Sequence, residues 1–178
     1  MKVKILFVLL LFISSITFSQ TTLSVGGYLG GGQFSGNSVS VGGFTSSLFC
    51  ELNTPLFEEV YPRLSFIFTK DFNAILPNST QTYNPFILGV TFKGVTTQYF
   101  DGKIFLEEGV GFASLNDQTF SDTDVWDYGV VISLSVGFDL RNFDLKGFKL
   151  GAGAEYGMAF FDTLPKYSSL HLFVIYTI

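Results

Sequence analysis

The only histidine in the chain stands close to two serines. His171 lies two residues after Ser169 and three after Ser168. Serine and histidine side chains act as nucleophile and general base when they lie within hydrogen-bonding reach. No acidic residue follows or precedes them closely enough in sequence to orient the imidazole. The sequence therefore favours an interior polar role for His171 and predicts no catalytic residue, with a lipid-modifying enzyme using Ser168 or Ser169 as the alternative.

A second group with possible chemistry is acidic. It comprises Asp117, Asp122, Asp124 and Asp127. Carboxylates at such spacing can bind a hard cation such as Ca²⁺, but the full signature of a calcium-binding loop is missing. We therefore expect a solvated acidic loop, no metal site and no cofactor.

The elements that position these residues are strands. In the stretch 126–140, large apolar residues alternate with small or acidic ones, and only Val131 breaks the second set. The large set is Tyr128, Val130, Ile132, Leu134, Val136, Phe138 and Leu140. A period of two indicates a strand with two unlike faces. Small residues on one face and large apolar residues on the other are typical of a narrow barrel whose outer face contacts lipid.

Similar alternation recurs along the chain and predicts about eight strands. Their expected ranges are 23–34, 40–53, 63–71, 82–93, 103–113, 126–140, 147–160 and a last strand ending at residue 178. Eight is the smallest number of strands that closes a membrane barrel. The predicted fold class is all-β, an antiparallel up-and-down transmembrane β-barrel.

The face predicted to point inward carries charges of both signs. These residues are Glu51, Arg63, Asp71, Lys93, Lys103, Glu107, Asp139, Lys149 and Glu155. Unpaired charges would be costly in a narrow barrel, so we expect an interior charge network of ion pairs. A gated pore or a proton path is the functional alternative. Glu108 falls on the apolar face, where a bulge or a position near the lipid headgroups would relieve its cost.

The N-terminus reads as a secretory signal peptide at residues 1–19, with the barrel domain at 20–178. Lys2 and Lys4 precede a short apolar run, and small residues follow it. Removing both lysines takes the net charge from −5 to −7, which argues against nucleic-acid binding. The chain has 22 Phe and 19 Gly, a composition that suits lipid-facing strands better than a soluble core. Its single cysteine, Cys50, excludes an internal disulfide.

The chain resembles the small outer-membrane β-barrel superfamily, which includes the OmpA and OmpX transmembrane barrels. It shares with them a signal peptide, alternating strands and a last strand of aromatic and apolar residues. The resemblance covers the whole mature chain and rests on pattern rather than on a motif. Such barrels commonly end in Phe, whereas this chain ends in Tyr176, Thr177 and Ile178. The resemblance implies a Gram-negative cell outer membrane, both termini in the periplasm, and a monomer whose partners are outer-membrane lipid and the barrel assembly machinery.

The favoured function is that of a non-enzymatic outer-membrane barrel in envelope structure, surface contact or small-solute passage. The lipid-modifying enzyme is one alternative. A soluble secreted lipocalin-like barrel is the other, and it requires an apolar interior and a charged exterior, opposite to the faces predicted here.

Overall fold

A computed structural model describes residues 22–56, 58–74, 84–120 and 123–178. The expected signal peptide and Asp122 lie outside the described residues. Within those ranges, no helix is long and apolar enough to cross a membrane. The described residues also include a 3₁₀ turn at Phe72–Ala74.

Eight strands form one closed antiparallel barrel, in which each strand pairs with the next and the last pairs with the first. The strands are β1 Leu23–Ser35, β2 Val41–Leu52, β3 Tyr61–Asp71, β4 Phe86–Phe100, β5 Ile104–Gln118, β6 Val125–Asp139, β7 Gly147–Ala159 and β8 Lys166–Thr177. The predicted fold class is confirmed. The start of β1 and the end of β8 lie at one end of the barrel, called here the terminal end, because Ser24 pairs with Thr177. The opposite end is called the loop end.

The strands are tilted, and the register shows by how much. Starting at Ser24, we follow each residue to its direct partner on the next strand, around the barrel to Tyr167 on β8. The partner of Tyr167 on β1 is Phe34, so one turn around the barrel ends ten residues further along β1 than it began. Eight strands with this stagger are inclined to the axis by about 40° and enclose an interior just wide enough for side chains to fill.

The outer surface of the barrel is apolar. Large side chains such as Leu29 (63% exposed), Phe112 (74%) and Leu170 (72%) project from it with no protein cover. Trp126 and Tyr128 lie toward the loop end, and Phe148 packs on Tyr176 at the terminal end. An apolar band with aromatic residues near both ends matches the hydrocarbon of a bilayer. This is the reverse of the faces that the soluble lipocalin-like alternative requires.

The hairpin of β4 and β5 is longer than the sequence predicts. The predicted strands 82–93 and 103–113 leave residues 94–102 as a turn, but β4 continues to Phe100 and only residues 101–103 form the turn. The prediction ended β4 too early because it depends on apolar alternation, which is absent at Thr96, Thr97 and Gln98. Asp101 and Gly102 adopt positive φ angles of 50° and 71°, which allow the tight reversal. The pairing register is continuous through Glu108, so this residue does not lie on a bulge.

The glycine-rich β1 allows the barrel to close against β8. A Cβ atom built on Gly32 would lie 1.7 Å from the carbonyl oxygen of Ser168, and one on Gly30 would lie 2.1 Å from that of Leu170. No larger residue fits these positions without moving the backbone of β8. The glycines therefore serve the close approach of two strands at the seam of the barrel.

Candidate functional site

The lumen is the candidate site, and its charged residues meet in two groups. The first is centred on Arg63, which lies between two carboxylates. Its Nε donates a hydrogen bond to Glu51 (2.8 Å), and its Nη2 donates to Glu107 (2.8 Å). Lys149 Nζ donates to the other oxygen of Glu107 (3.2 Å). The guanidinium also lies 4.8 Å from the centre of the Phe49 ring. Four strands thus contribute to one alternating chain of buried charges.

The second group is centred on Glu155. Lys93 forms an ion pair with one carboxylate oxygen of Glu155. The hydroxyls of Tyr28 (3.0 Å) and Tyr167 (2.7 Å) both donate to the other oxygen. All four side chains are buried, so the carboxylate is held by three donors with little access to water. Buried charges remain ionised at a tolerable cost only when they are paired and hydrogen-bonded in this way.

The terminal end of the lumen opens into a cavity of about 860 Å³, called here the mouth. At its edge Arg141 binds Asp139 through Nε (2.9 Å) and Nη2 (2.6 Å), and Tyr99 donates to the same carboxylate (2.9 Å). Partial burial by itself would lower the pKa of Arg141, but its hydrogen bonds to Asp139 outweigh burial and raise the pKa above its ordinary value. Asp139 is thus part of the mouth rather than of the deeper groups.

Two of the predicted interior charges lie elsewhere. Lys103 is exposed in the turn between β4 and β5, because β5 begins at Ile104 and the turn carries the lysine out of the strand. It lines the mouth at the end of the lumen, so its predicted place in the buried charge network is wrong. Asp71 is buried, but it lies at the loop end and accepts the backbone N–H of Asn73 (2.9 Å). Within the described ranges Asp71 forms no ion pair.

The structure separates the two serines near His171. Ser168 lies on the outer side of β8, whereas Ser169 and His171 face the lumen. Ser169 Oγ is 3.1 Å from Nδ1 of His171, and the imidazole stacks on Tyr28 with 3.9 Å between ring centres. No carboxylate hydrogen-bonds the imidazole among the described residues. The side chains of Ser169 and His171 are both buried in the barrel.

The acidic residues near β6 hold loops in place. Asp127, only 1% exposed, accepts backbone N–H groups from Tyr128 (2.8 Å), Phe161 (3.1 Å) and Leu164 (3.3 Å). These bonds tie the β7–β8 connection to β6. No group of residues suited to a metal ion occurs in the described part of the chain.

Asp117 and Asp124 act in the same way at the loop end. Asp117 is fully buried and accepts the N–H groups of Asn37 (3.2 Å) and Thr119 (2.8 Å), so it joins the β1–β2 connection to β5. Asp124 accepts a hydrogen bond from the side chain of Asn116 (2.7 Å). The acidic cluster is therefore a set of loop anchors, apart from Asp122, which the structure does not describe.

An apolar layer fills the lumen just inside the loop end. Its members are Phe34, Ile67, Ile87, Ala113, Leu115, Val131, Ala159 and Tyr167. None is more than 3% exposed. Ile87 pairs directly with Asp117, and Leu115 with Asp127, so the layer lies immediately below the loop anchors. It closes the lumen on that side, whereas the mouth is open on the other.

Sequence reasoning missed this layer. Seven of the eight strands contribute one or two of its residues, and β2 contributes none, at positions that share no spacing along the chain. The one available signal was Val131, the apolar exception on the inward face of β6. The stagger of the strands brings these scattered residues to one level, and alternation alone carries no information about stagger.

Two comparisons with known proteins found nothing: no protein-family model and no curated protein matches this chain. Solved structures do match it. Neisserial surface protein A (NspA) aligns with a TM-score of 0.66 and 10% identity, over 88% of this chain and 97% of that one. Ail, the attachment invasion locus protein of Yersinia pestis, solved with the heparin analogue sucrose octasulfate, aligns with a TM-score of 0.53 and 11% identity, over 89% and 97%. The fold of this chain is that of the small eight-stranded outer-membrane β-barrels.

Proposed function

We propose that this protein is a monomeric, non-enzymatic barrel of the Gram-negative outer membrane that serves envelope structure and surface contact and does not conduct solutes. The observation that carries the proposal is the apolar layer, which closes the lumen below the loop end. This layer favours a role in envelope structure or surface contact over the passage of solutes.

The layer opposes passage for a physical reason. An ion or polar solute would have to leave water and cross a level lined largely by apolar side chains such as Phe34, Ile87 and Leu115. The hydroxyl of Tyr167 at this level already donates to Glu155. Hydrophobic constrictions of this kind exclude water from pores. The interior charges offer no path either, since each buried cation already holds a carboxylate.

The loop end supports a role in contact at the surface. Its connections are anchored by Asp117 and Asp127, which gives them a fixed shape. They present exposed apolar side chains, such as Val39 (85%) and Phe161 (61%). The described loops carry Asp124 and Asp162 but no cluster of Lys or Arg, so the heparin analogue seen with Ail is not proposed as a ligand here. A neutral or apolar partner suits this surface better.

The monomer and its expected partners follow from the same architecture. A closed barrel has no free strand edge through which a second copy could add. Its apolar outer surface is satisfied by outer-membrane lipid. We propose the barrel assembly machinery as a partner, because such a surface has to be inserted into the membrane from the periplasm.

A conductance measurement tests the proposal. Protein from the outer-membrane fraction is first run on a gel with and without boiling, because a closed barrel migrates differently until heat unfolds it. It is then placed in a planar bilayer. We expect the mobility shift and no steady conductance from the native protein.

A pair of variants makes the result specific. Phe34→Ala with Leu115→Ala thins the apolar layer and is expected to produce conductance. Phe105→Ala with Phe173→Ala removes equivalent rings near the terminal end, below the layer, and is expected to remain silent. Both must retain the mobility shift. Steady conductance from the native barrel would overturn the proposal.

The enzyme alternative has its own measurement. If Ser169 and His171 hydrolysed lipid, a strain carrying His171→Ala would accumulate uncleaved lipid A or phospholipid. We expect identical lipid composition in the two strains, because both side chains are enclosed within the lumen. A changed lipid profile would contradict the non-enzymatic proposal.

A further inference from the structure

A groove lies on the outer surface of the barrel, where Leu56 and Val60, which follow β2, lie beside β4 and β5. It has a volume of about 640 Å³, and its lining is almost entirely apolar. The lining includes Leu56, Val60, Phe92, Val110, Phe112 and Leu134. A Cβ atom on Gly94 would lie 2.7 Å from Val60, so the absence of a side chain there lets the connection approach the barrel.

One charged residue belongs to this groove. Glu108 is exposed on the outer face of β5, directly across from Thr96 on β4 and Leu134 on β6. Its neighbour Glu107 points into the lumen and holds two cations, whereas Glu108 has no ion pair or hydrogen bond with any described residue. A carboxylate on a lipid-facing surface is costly unless a cation reaches it.

The depth of Glu108 decides which cations can reach it. It lies four residues from Ile104, where β5 begins at the terminal end. With a rise of about 3.3 Å per residue and a tilt of about 40°, the carboxylate is about 10 Å along the axis from the end of the strand. The centre of a hydrocarbon core about 30 Å thick is about 15 Å from its edge, so the carboxylate lies in the leaflet on the terminal side, nearer to the headgroups of that leaflet than to those of the other.

We propose that this groove binds one molecule of phosphatidylethanolamine from the leaflet on the terminal side, with its ammonium on Glu108 and an acyl chain along the apolar lining. The inference rests on the proposed membrane location. An ethanolamine ammonium donates hydrogen bonds to a carboxylate, whereas the trimethylammonium of phosphatidylcholine has no N–H donor and phosphatidylglycerol has no cation. Thr96 supplies a hydroxyl beside the carboxylate for the phosphate.

Native mass spectrometry of the detergent-solubilised protein tests the proposal. The probes are phosphatidylethanolamine, phosphatidylcholine and phosphatidylglycerol with the same acyl chains. The native protein is expected to retain one phosphatidylethanolamine about tenfold more strongly than either other lipid, as a charge-assisted hydrogen bond allows. Glu108→Gln is expected to abolish the preference. Asp144→Asn, which removes an exposed carboxylate from the β6–β7 turn, is the matched control and is expected to keep it.

The outcomes separate this inference from the proposed function. Equal retention of the three lipids, or an unchanged preference in Glu108→Gln, would overturn the lipid site while the mobility shift on the gel still identified a membrane barrel. Loss of the preference in Asp144→Asn as well would also overturn it, since net charge rather than the groove would then determine binding. Absence of the mobility shift in the native protein would remove both proposals.

Discussion

Removing the charge of Glu107 tests whether the lumen is held together as a network. Glu107 accepts hydrogen bonds from two cations, Arg63 and Lys149. In Glu107→Gln, Arg63 keeps Glu51 as a partner. Lys149 loses the carboxylate with which it is paired and retains the ring faces of Phe105 (4.8 Å) and Tyr99 (5.6 Å). Breaking a buried pair by removing one partner costs about 3–5 kcal/mol.

The expected costs follow from what each variant leaves behind. Lys149 lines the mouth and can be reached by water, so Glu107→Gln is expected near the lower limit, at about 3 kcal/mol. Lys149→Met leaves Glu107 paired with Arg63 and is expected to cost about 2 kcal/mol, the value of one hydrogen bond between charged groups. The double variant leaves no unpaired ammonium, so we expect it to cost about 1–2 kcal/mol less than the sum of the single variants.

Equilibrium unfolding in urea, in phospholipid vesicles, provides the measurement. The chain has one tryptophan, Trp126, and its exposed position on the outer surface makes its emission a report of membrane insertion. All four proteins must show the same folded emission before their free energies of unfolding are compared. Additivity within about 0.5 kcal/mol would refute the reasoning, since independent residues add. So would a Glu107→Gln variant as stable as the native protein.

Two further changes probe the loop end and the seam. Asp127→Asn weakens the acceptor for the N–H groups of Phe161 and Leu164, so we expect the β7–β8 connection to lose about 1–3 kcal/mol of local stability. Protease added outside the cell should then cleave this connection faster. An unchanged cleavage rate would contradict the anchoring role. Gly32→Val places a side chain against the Ser168 carbonyl, and we expect the barrel not to close and the gel mobility shift to disappear; a variant that still shifted would contradict the close approach.

The sequence predicted the barrel because alternation is a local property. In β6, Ile132 and Leu134 face lipid, while Gly129 and Ser135 face the lumen, as the period of two requires. The prediction weakened where side chains were uniformly polar, as at Thr96–Gln98. It also gave Lys103 an interior position from parity alone, although parity has no meaning outside a strand.

The contacts inside the lumen were harder to predict from the sequence. Phe49 fell among polar residues in the pattern of β2, and the structure shows why, since its ring lies under the Arg63 guanidinium. Which cation meets which carboxylate depends on register: Lys93 reaches Glu155 across the barrel, from strands that are not neighbours. Pairing across an interior is set by stagger and diameter, and a single sequence shows neither directly.

Closure of the barrel by its first and last strands constrains how the molecule is made. β1 cannot acquire its second neighbour until β8 is synthesised, because Ser24 pairs with Thr177 and Phe34 with Tyr167. Any shorter nascent chain exposes two strand edges and an apolar surface at once, the conditions that favour aggregation. Folding therefore cannot proceed to completion from the N-terminus onward. The chain must be kept from aggregating until β8 is available, and pairing between strands so far apart in sequence is intrinsically slow.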